Sequence, residues 1–149
     1  VERRALEERP CQALAGAGEQ NQHEREAQRG AEAEAAQYEQ LLRERFEEDN
    51  SAANGSSIAF LLEYKTLRIL LAGDAHPSTL VETIGRLGEG KLAVDACKLP
   101  HHGSRGSVSA DLIKHLDCNA YIFSSNGDKF SHPHPEAVAR VIGVSVSDQ

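Results

Sequence analysis

Apolar residues are thin and irregular over the first third of the chain and come in short, dense runs afterwards. From Glu2 to Glu48 helix formers dominate, and the clearest periodic set is Ala35, Tyr38, Leu42 and Phe46, spaced to share one helical face. That spacing predicts a helix over residues 31–47, preceded by a charged, partly disordered stretch that Pro10, Gly16, Gly18 and Gly30 interrupt. A turn cluster, NSAANGSS at 50–57, closes the segment. Beyond it, SIAFLLEY (57–64) and LRILLAG (67–73) read as two strands of a hairpin turning at Lys65-Thr66. The second run is apolar at nearly every position, which predicts a central strand buried on both faces. A helix near 78–87, a strand near 94–99, a helix near 109–116, a strand at 120–125 and a helix near 135–142 follow. Ser109 is placed to accept from free N–H groups of the helix it opens, and Pro135 sits where a first helical residue needs no donor. This alternation predicts an α/β fold.

Charge sharpens the division. The formal net charge is −7, but residues 1–50 hold 7 Lys/Arg against 13 Asp/Glu, whereas residues 51–149 hold 9 against 10. Residues 1–50 therefore read as a charged helical linker or insertion, and 51–149 as the compact part. With no basic surplus, long-range binding to nucleic acid through phosphate neutralisation is not implied, although a small patch could handle one phosphodiester. Cys11, Cys97 and Cys118 show no C-x-x-C spacing and suit reduced, packed thiols, so a cytoplasmic setting is expected. No stretch approaches the roughly 18 apolar residues of a membrane span.

Three loops follow predicted strands: GDAHP, PHHGSRGS and SSNGDKFSHPHP. In open α/β sheets that rim is where ligands bind. Six of the seven histidines fall between His76 and His134, and five of those six lie in these loops. Clustered imidazoles with a strand-end carboxylate are the usual donors for zinc, manganese or iron in hydrolytic sites. Asp74 reads as a turn residue or a ligand, and His76 as a helix-start cap or a ligand. If strand geometry continues, His101 and His102 point to opposite sides, so one would ligate and the other would orient or contact substrate. Gly103 and Gly106 allow a backbone to approach a ligand closely, while Ser104, Ser107 and Ser109 could donate to an anion or simply lead into a capped helix. Pro133 stiffens the spacing of His132 and His134, either of which could reach a site, and His134 could equally cap the final helix. His115 reads as a helix-surface residue, and Asn126-Gly127 as a tight turn. Neither a nucleophile beside a base nor a phosphate-cradling glycine loop is present.

Read together, SSIAFLLEYKTLRILLAGDAHP, KLPHHGSRGSVS and YIFSSNGDKFSHPHPEAVARVI resemble the second half of metallo-β-lactamase-fold hydrolases. The nearest branch looks like the hydrolase domain of bacterial DNA-internalisation competence proteins and their soluble relatives, and the similarity covers about residues 54–142. The resemblance implies the C-terminal half of a four-layer αββα sandwich, with a two-ion zinc or manganese centre between the sheets and a bridging hydroxide as nucleophile. It makes Asp74 the bridging carboxylate, gives a later metal ligand to the His101-His102 pair, and puts His132 and His134 on the substrate side as candidate catalytic residues. Ser104, Ser107 and Asn126 become candidate substrate contacts. The implied substrate is a phosphodiester, either a small molecule or a nucleic acid. The family's first-half motif His-x-His-x-Asp-His is not among these 149 residues. The centre would thus need completing by an N-terminal half or by a second copy of the chain. The competing expectation is a noncatalytic interaction or structural fragment.

Overall fold

In the computed structural model, residues 11–88 and 90–147 are described, with side chains from residue 22 onwards. The expected disordered stretch before Cys11 lies outside the described residues. The chain divides between Glu39 and Gln40 into two compact units. The first contains most of helix α1 (Cys11–Arg43), which is longer at its start than the spacing predicted and ends earlier. Its described side chains are almost all exposed, with local pairs such as Gln28 to Glu32 at 3.2 Å.

In the second unit, one turn of helix, α2 (Ala52–Gly55), occupies the predicted turn cluster. The hairpin follows, β1 (Phe60–Tyr64) and β2 (Leu67–Leu71), paired antiparallel with Leu62 opposite Ile69. Lys65 adopts the left-handed conformation the two-residue turn requires. Helix α3 (Pro77–Leu87) crosses over to the next strands. The single strand expected at 94–99 is instead two, β3 (Leu92–Val94) and β4 (Ala96–Lys98), divided at Asp95, whose carboxylate accepts from the Arg68 N–H at 2.7 Å. Helix α4 (Ala110–Lys114) is capped as predicted: the Ser109 hydroxyl accepts from the Leu112 N–H at 3.0 Å. Strands β5 (Leu116–Cys118) and β6 (Tyr121–Ile122) come next. The final helix, α5 (Pro135–Ser147), outlasts its expected end because Val144 extends the buried stripe begun by Ala137 and Val141.

The main sheet runs β1-β2-β4-β6, antiparallel at the hairpin and parallel elsewhere, while β3 and β5 form a separate parallel pair. The architecture is therefore mixed α/β with a mixed sheet. Leu70 and Cys97 on the sheet's inner face join Leu80, Ile84, Leu112, Ile113 and Val141 from the three helices in one core. Helix α4 packs against both α3 and α5. Burial on both faces of β2 is not what the structure shows. Leu67 is exposed, and Ile69 and Leu71 are half-buried, because no described element of this unit covers their side of the sheet. Opposite them across the hairpin, Phe60, Leu62 and Tyr64 are 52, 44 and 64 % exposed, and Ile122 on β6 is 44 % exposed.

Candidate functional site

Strands β2, β4 and β6 end at the same rim, and each leads straight into one of the three histidine-bearing loops. After β2, Gly73 turns left-handed at φ 59° with its α-carbon pressed on Ile58 O and Ser57 Oγ, where a Cβ would come within 2.5 and 2.7 Å. This tight turn presents Asp74, half-buried, whose N–H donates to the Ser57 hydroxyl at 2.8 Å.

After β4, the expected continuation of strand geometry fails. His101 and His102 are both left-handed, at φ 44° and 55°, and Gly103 follows at φ 85°. Consecutive left-handed residues with a Cβ are strained, and here the surroundings hold them in place. The His101 N–H donates to Gly73 O at 3.0 Å, and the His134 N–H donates to Gly103 O at 3.0 Å. Gly103 is sealed by Phe123 and Pro133, which a Cβ would meet at 2.6 and 2.9 Å. Behind it, the buried Arg140 guanidinium donates to Arg105 O at 2.7 Å and Val108 O at 3.1 Å, and stacks over Phe46 at 5.1 Å. The loop is thus pinned from three sides.

Four imidazoles meet at this rim. His132 lies 5.2 Å from His101, 6.4 Å from His102 and 4.7 Å from His134, ring centre to ring centre. It is also the most buried of the four, 8 % exposed. Burial lowers its pKa first, and the neighbouring His134, His101 and His102 lower it further, with Asp74 close enough to oppose them. The hydrogen bonds assign two opposite roles. His102 Nδ1 lies 2.7 Å from Ser124 O, an acceptor, so Nδ1 carries the proton and Nε2 keeps a free lone pair. His134 Nδ1 accepts from the Arg105 N–H at 3.0 Å, so in the neutral ring Nε2 carries the proton and is a donor. His102 can therefore offer a lone pair to a metal, and His134 a hydrogen bond to an oxygen.

Two residues the sequence reading passed over belong to the site. Asn54 Nδ2 lies 3.2 Å from His101 Nδ1 and donates to Asp49, whose Oδ2 is 3.8 Å from the same ring nitrogen. The Ser51 N–H, with Asn54 next, holds the Asp49 carboxyl below its usual range. Asp49 also ties its own N–H to Gly106 O at 2.9 Å. His76 is drawn away, its Nε2 lying 3.1 Å from Ser51 O. Ser104 is half-buried, Asn126 is exposed in its turn, and Ser107 is 1 % exposed with its hydroxyl unpartnered among the described residues. The structure thus gathers His101, His102, His132, His134 and Asp74 and leaves Ser107 inside.

The donors suit zinc or manganese in kind but not in number. Among the described residues, no group of three or more His, Cys, Asp or Glu is arranged to hold a metal ion. Likewise among the described residues, no helix is long and apolar enough to cross a membrane.

No protein-family profile matches the chain, and no solved structure does. A curated relative, ComE operon protein 3 of Bacillus subtilis (strain 168), is 26 % identical over 91 residues. The aligned part is 60 % of this chain and only 12 % of that protein. The chain is therefore similar to a small part of a competence-operon protein, which is compatible with the link to competence drawn from GDAHP, HHGS and HPHP.

Proposed function

We propose that this chain is the C-terminal half of a metallo-β-lactamase-fold hydrolase acting on a phosphodiester, completed by a segment or subunit outside these 149 residues. The observation that carries this reading is a bare apolar sheet face whose strands end at the histidine rim. Phe60, Leu62, Tyr64, Leu67 and Ile122 are exposed on one side of the sheet that ends in Asp74, His101 and His102. A patch of that kind marks an interface, and a second sheet packed about 10 Å away would cover it while bringing further ligands to the rim. In this reading Asp74 and His102 or His101 would hold zinc or manganese together with ligands from the completing half, and the metal would supply an activated water. This chain's own part is to present those donors on a pinned loop and to offer the His134 Nε2–H to a substrate oxygen. Cys97 and Cys118 are free thiols, which supports a reducing, cytoplasmic setting.

The test is metal content and hydrolysis of bis(p-nitrophenyl) phosphate, for the chain alone and joined to the coding sequence upstream of Val1, each with Asp74→Ala. The expected result is metal-dependent hydrolysis by the longer protein only, abolished by Asp74→Ala. Unchanged hydrolysis in that variant, or none in a longer protein that carries His-x-His-x-Asp-His, would overturn the proposal. Because the described residues hold no three-donor group, a noncatalytic fragment is the competing reading. It predicts no metal bound by either form.

A further inference from the structure

The two edges of the main sheet are unlike. β6 offers two residues, too few for a further strand to follow, whereas β1 offers the five from Phe60 to Tyr64. β1 keeps an unbroken register with β2, so no bulge turns its outer side away. The two-residue turn makes Tyr64 and Leu67 a hydrogen-bonded pair, and with them Leu62 and Ile69, and Phe60 and Leu71. The N–H and C=O groups of Leu61 and Glu63 therefore point outward, and no backbone hydrogen bond from another described segment reaches them. Every residue of the strand except Leu61 is exposed.

An open edge of this kind accepts another strand, and the residues of β1 match their own copy. An antiparallel pairing centred on Leu62 sets Leu62 against Leu62 of the second copy and makes Leu61 and Glu63 the hydrogen-bonded partners on either side, where the free groups are. All of β1 is then paired. Moving the centre one residue toward the turn would set Glu63 directly opposite Glu63, and moving it the other way would pair Glu63 and Tyr64 with residues that precede the strand. In the centred register each Glu63 faces a leucine and keeps its own Arg68 at 2.9 Å. Lys65 Nζ already stands 5.4 Å from the Tyr64 ring centre, so the join draws on the backbone and on Leu62 rather than on that ring face. On the inner side, Leu61 and Glu63 border a cavity of about 390 Å³ together with Ile84, Leu87 and Leu92, and Leu87 is 64 % exposed. Leu61 of the second copy, opposite Glu63, enters at that cavity and offers an apolar side chain to an apolar lining. We infer that β1 pairs antiparallel with β1 of a second copy, joining two four-stranded sheets into one continuous sheet. The inference goes beyond the hydrolase reading, which concerns the face of the sheet and not its edge. Five residues a side is well below the roughly 20–30 of a standard interface, so the dimer is weak and forms as concentration rises.

The experiment is sedimentation equilibrium of the full 149-residue chain over a concentration series, with a chelator present so that no metal bridges two copies. The weight-average mass is expected to rise from that of one chain toward that of two. Glu63→Pro removes an outward N–H while leaving the bonds to β2 in place, and should raise the dissociation constant at least about tenfold. Glu63→Gln keeps that N–H and should stay within about threefold of the unmodified chain. Register is read by cross-linking with oxidised glutathione, which does not rely on the proline variant folding, and the unmodified chain gives the baseline for its own cysteines. Leu62→Cys should form a disulfide-linked dimer at least about tenfold faster than Tyr64→Cys, because the two copies of position 64 lie about 13 Å apart along the strands. A mass that stays at one chain throughout, association that survives Glu63→Pro, or equal cross-linking at the two positions overturns the inference.

Discussion

The two faces of the four-stranded sheet are built from the same strands and meet opposite fates. On the inner face Leu70 and Cys97 are 6 and 0 % exposed, packed beneath three helices. On either side of Leu70 in β2, Ile69 and Leu71 are only half-covered, and their hairpin partners Leu62 and Phe60 are open. Hydrophobicity does not predict these fates, because Leu occurs on both sides and Phe60, Ile69 and Ile122 all lie on the open one. What differs is that this unit carries helices for one side and, among its described residues, no element for the other. An apolar residue records that a position is meant to be dry, not where its cover comes from.

The largest effect expected from breaking this comparison is a core truncation. Leu112→Ala, at a fully buried position, should cost about 2–5 kcal/mol, whereas Leu62→Ala on the open face should change stability by no more than about 0.5 kcal/mol. Urea unfolding midpoints measure both, and equal losses would mean that the outer face is covered in solution. Next comes the loop anchor on the covered side. Arg140→Ala strips Arg105 O and Val108 O of their donor and should cost about 2–3 kcal/mol, with faster amide exchange over residues 104–108.

How far the sequence carried is visible in the same residues. Alternation and turn chemistry were enough for the hairpin, the Ser109 cap and the start of α5, since each depends on neighbours within a few residues. The split of β3 from β4 was hidden because it depends on Asp95 meeting Arg68, 27 residues away. The site was legible as a cluster of histidine loops but not in its geometry. Left-handed backbone at His101 and His102 has no glycine to announce it, Asn54 reads as part of a turn cluster, and Asp49 carries no signal until folding places both beside His101.

A third, smaller effect sharpens the comparison from the open side. Leu62→Lys should leave unfolding midpoints nearly unchanged while lowering the binding of a hydrophobic dye and any self-association seen by sedimentation. An undiminished dye signal would place the sticky surface elsewhere. The smallest is a pH effect on the covered side. Burial and its neighbours lower the pKa of His132, so the folded chain takes up that proton less readily than the unfolded chain. Stability is therefore intact above the unfolded value, about 6.5, and is lost as pH falls from there through the lowered folded value. Thermal midpoints between about pH 7 and pH 5 should fall in the unmodified chain and fall less in His132→Asn. Parallel slopes would remove His132 as the cause.

The hairpin's two-residue turn has a consequence in time. Its strands adjoin in the chain and can pair within about 1–10 μs, whereas β2 and β4 pair only after the whole of α3 intervenes. During synthesis the hairpin emerges ahead of everything that buries its inner side, so for seconds both of its sides are bare. Later elements shelter one of them. The other stays open to whichever apolar surface arrives first, so under the reading proposed above the abundance of a completing partner, or of a chaperone standing in for it, would decide between assembly and aggregation.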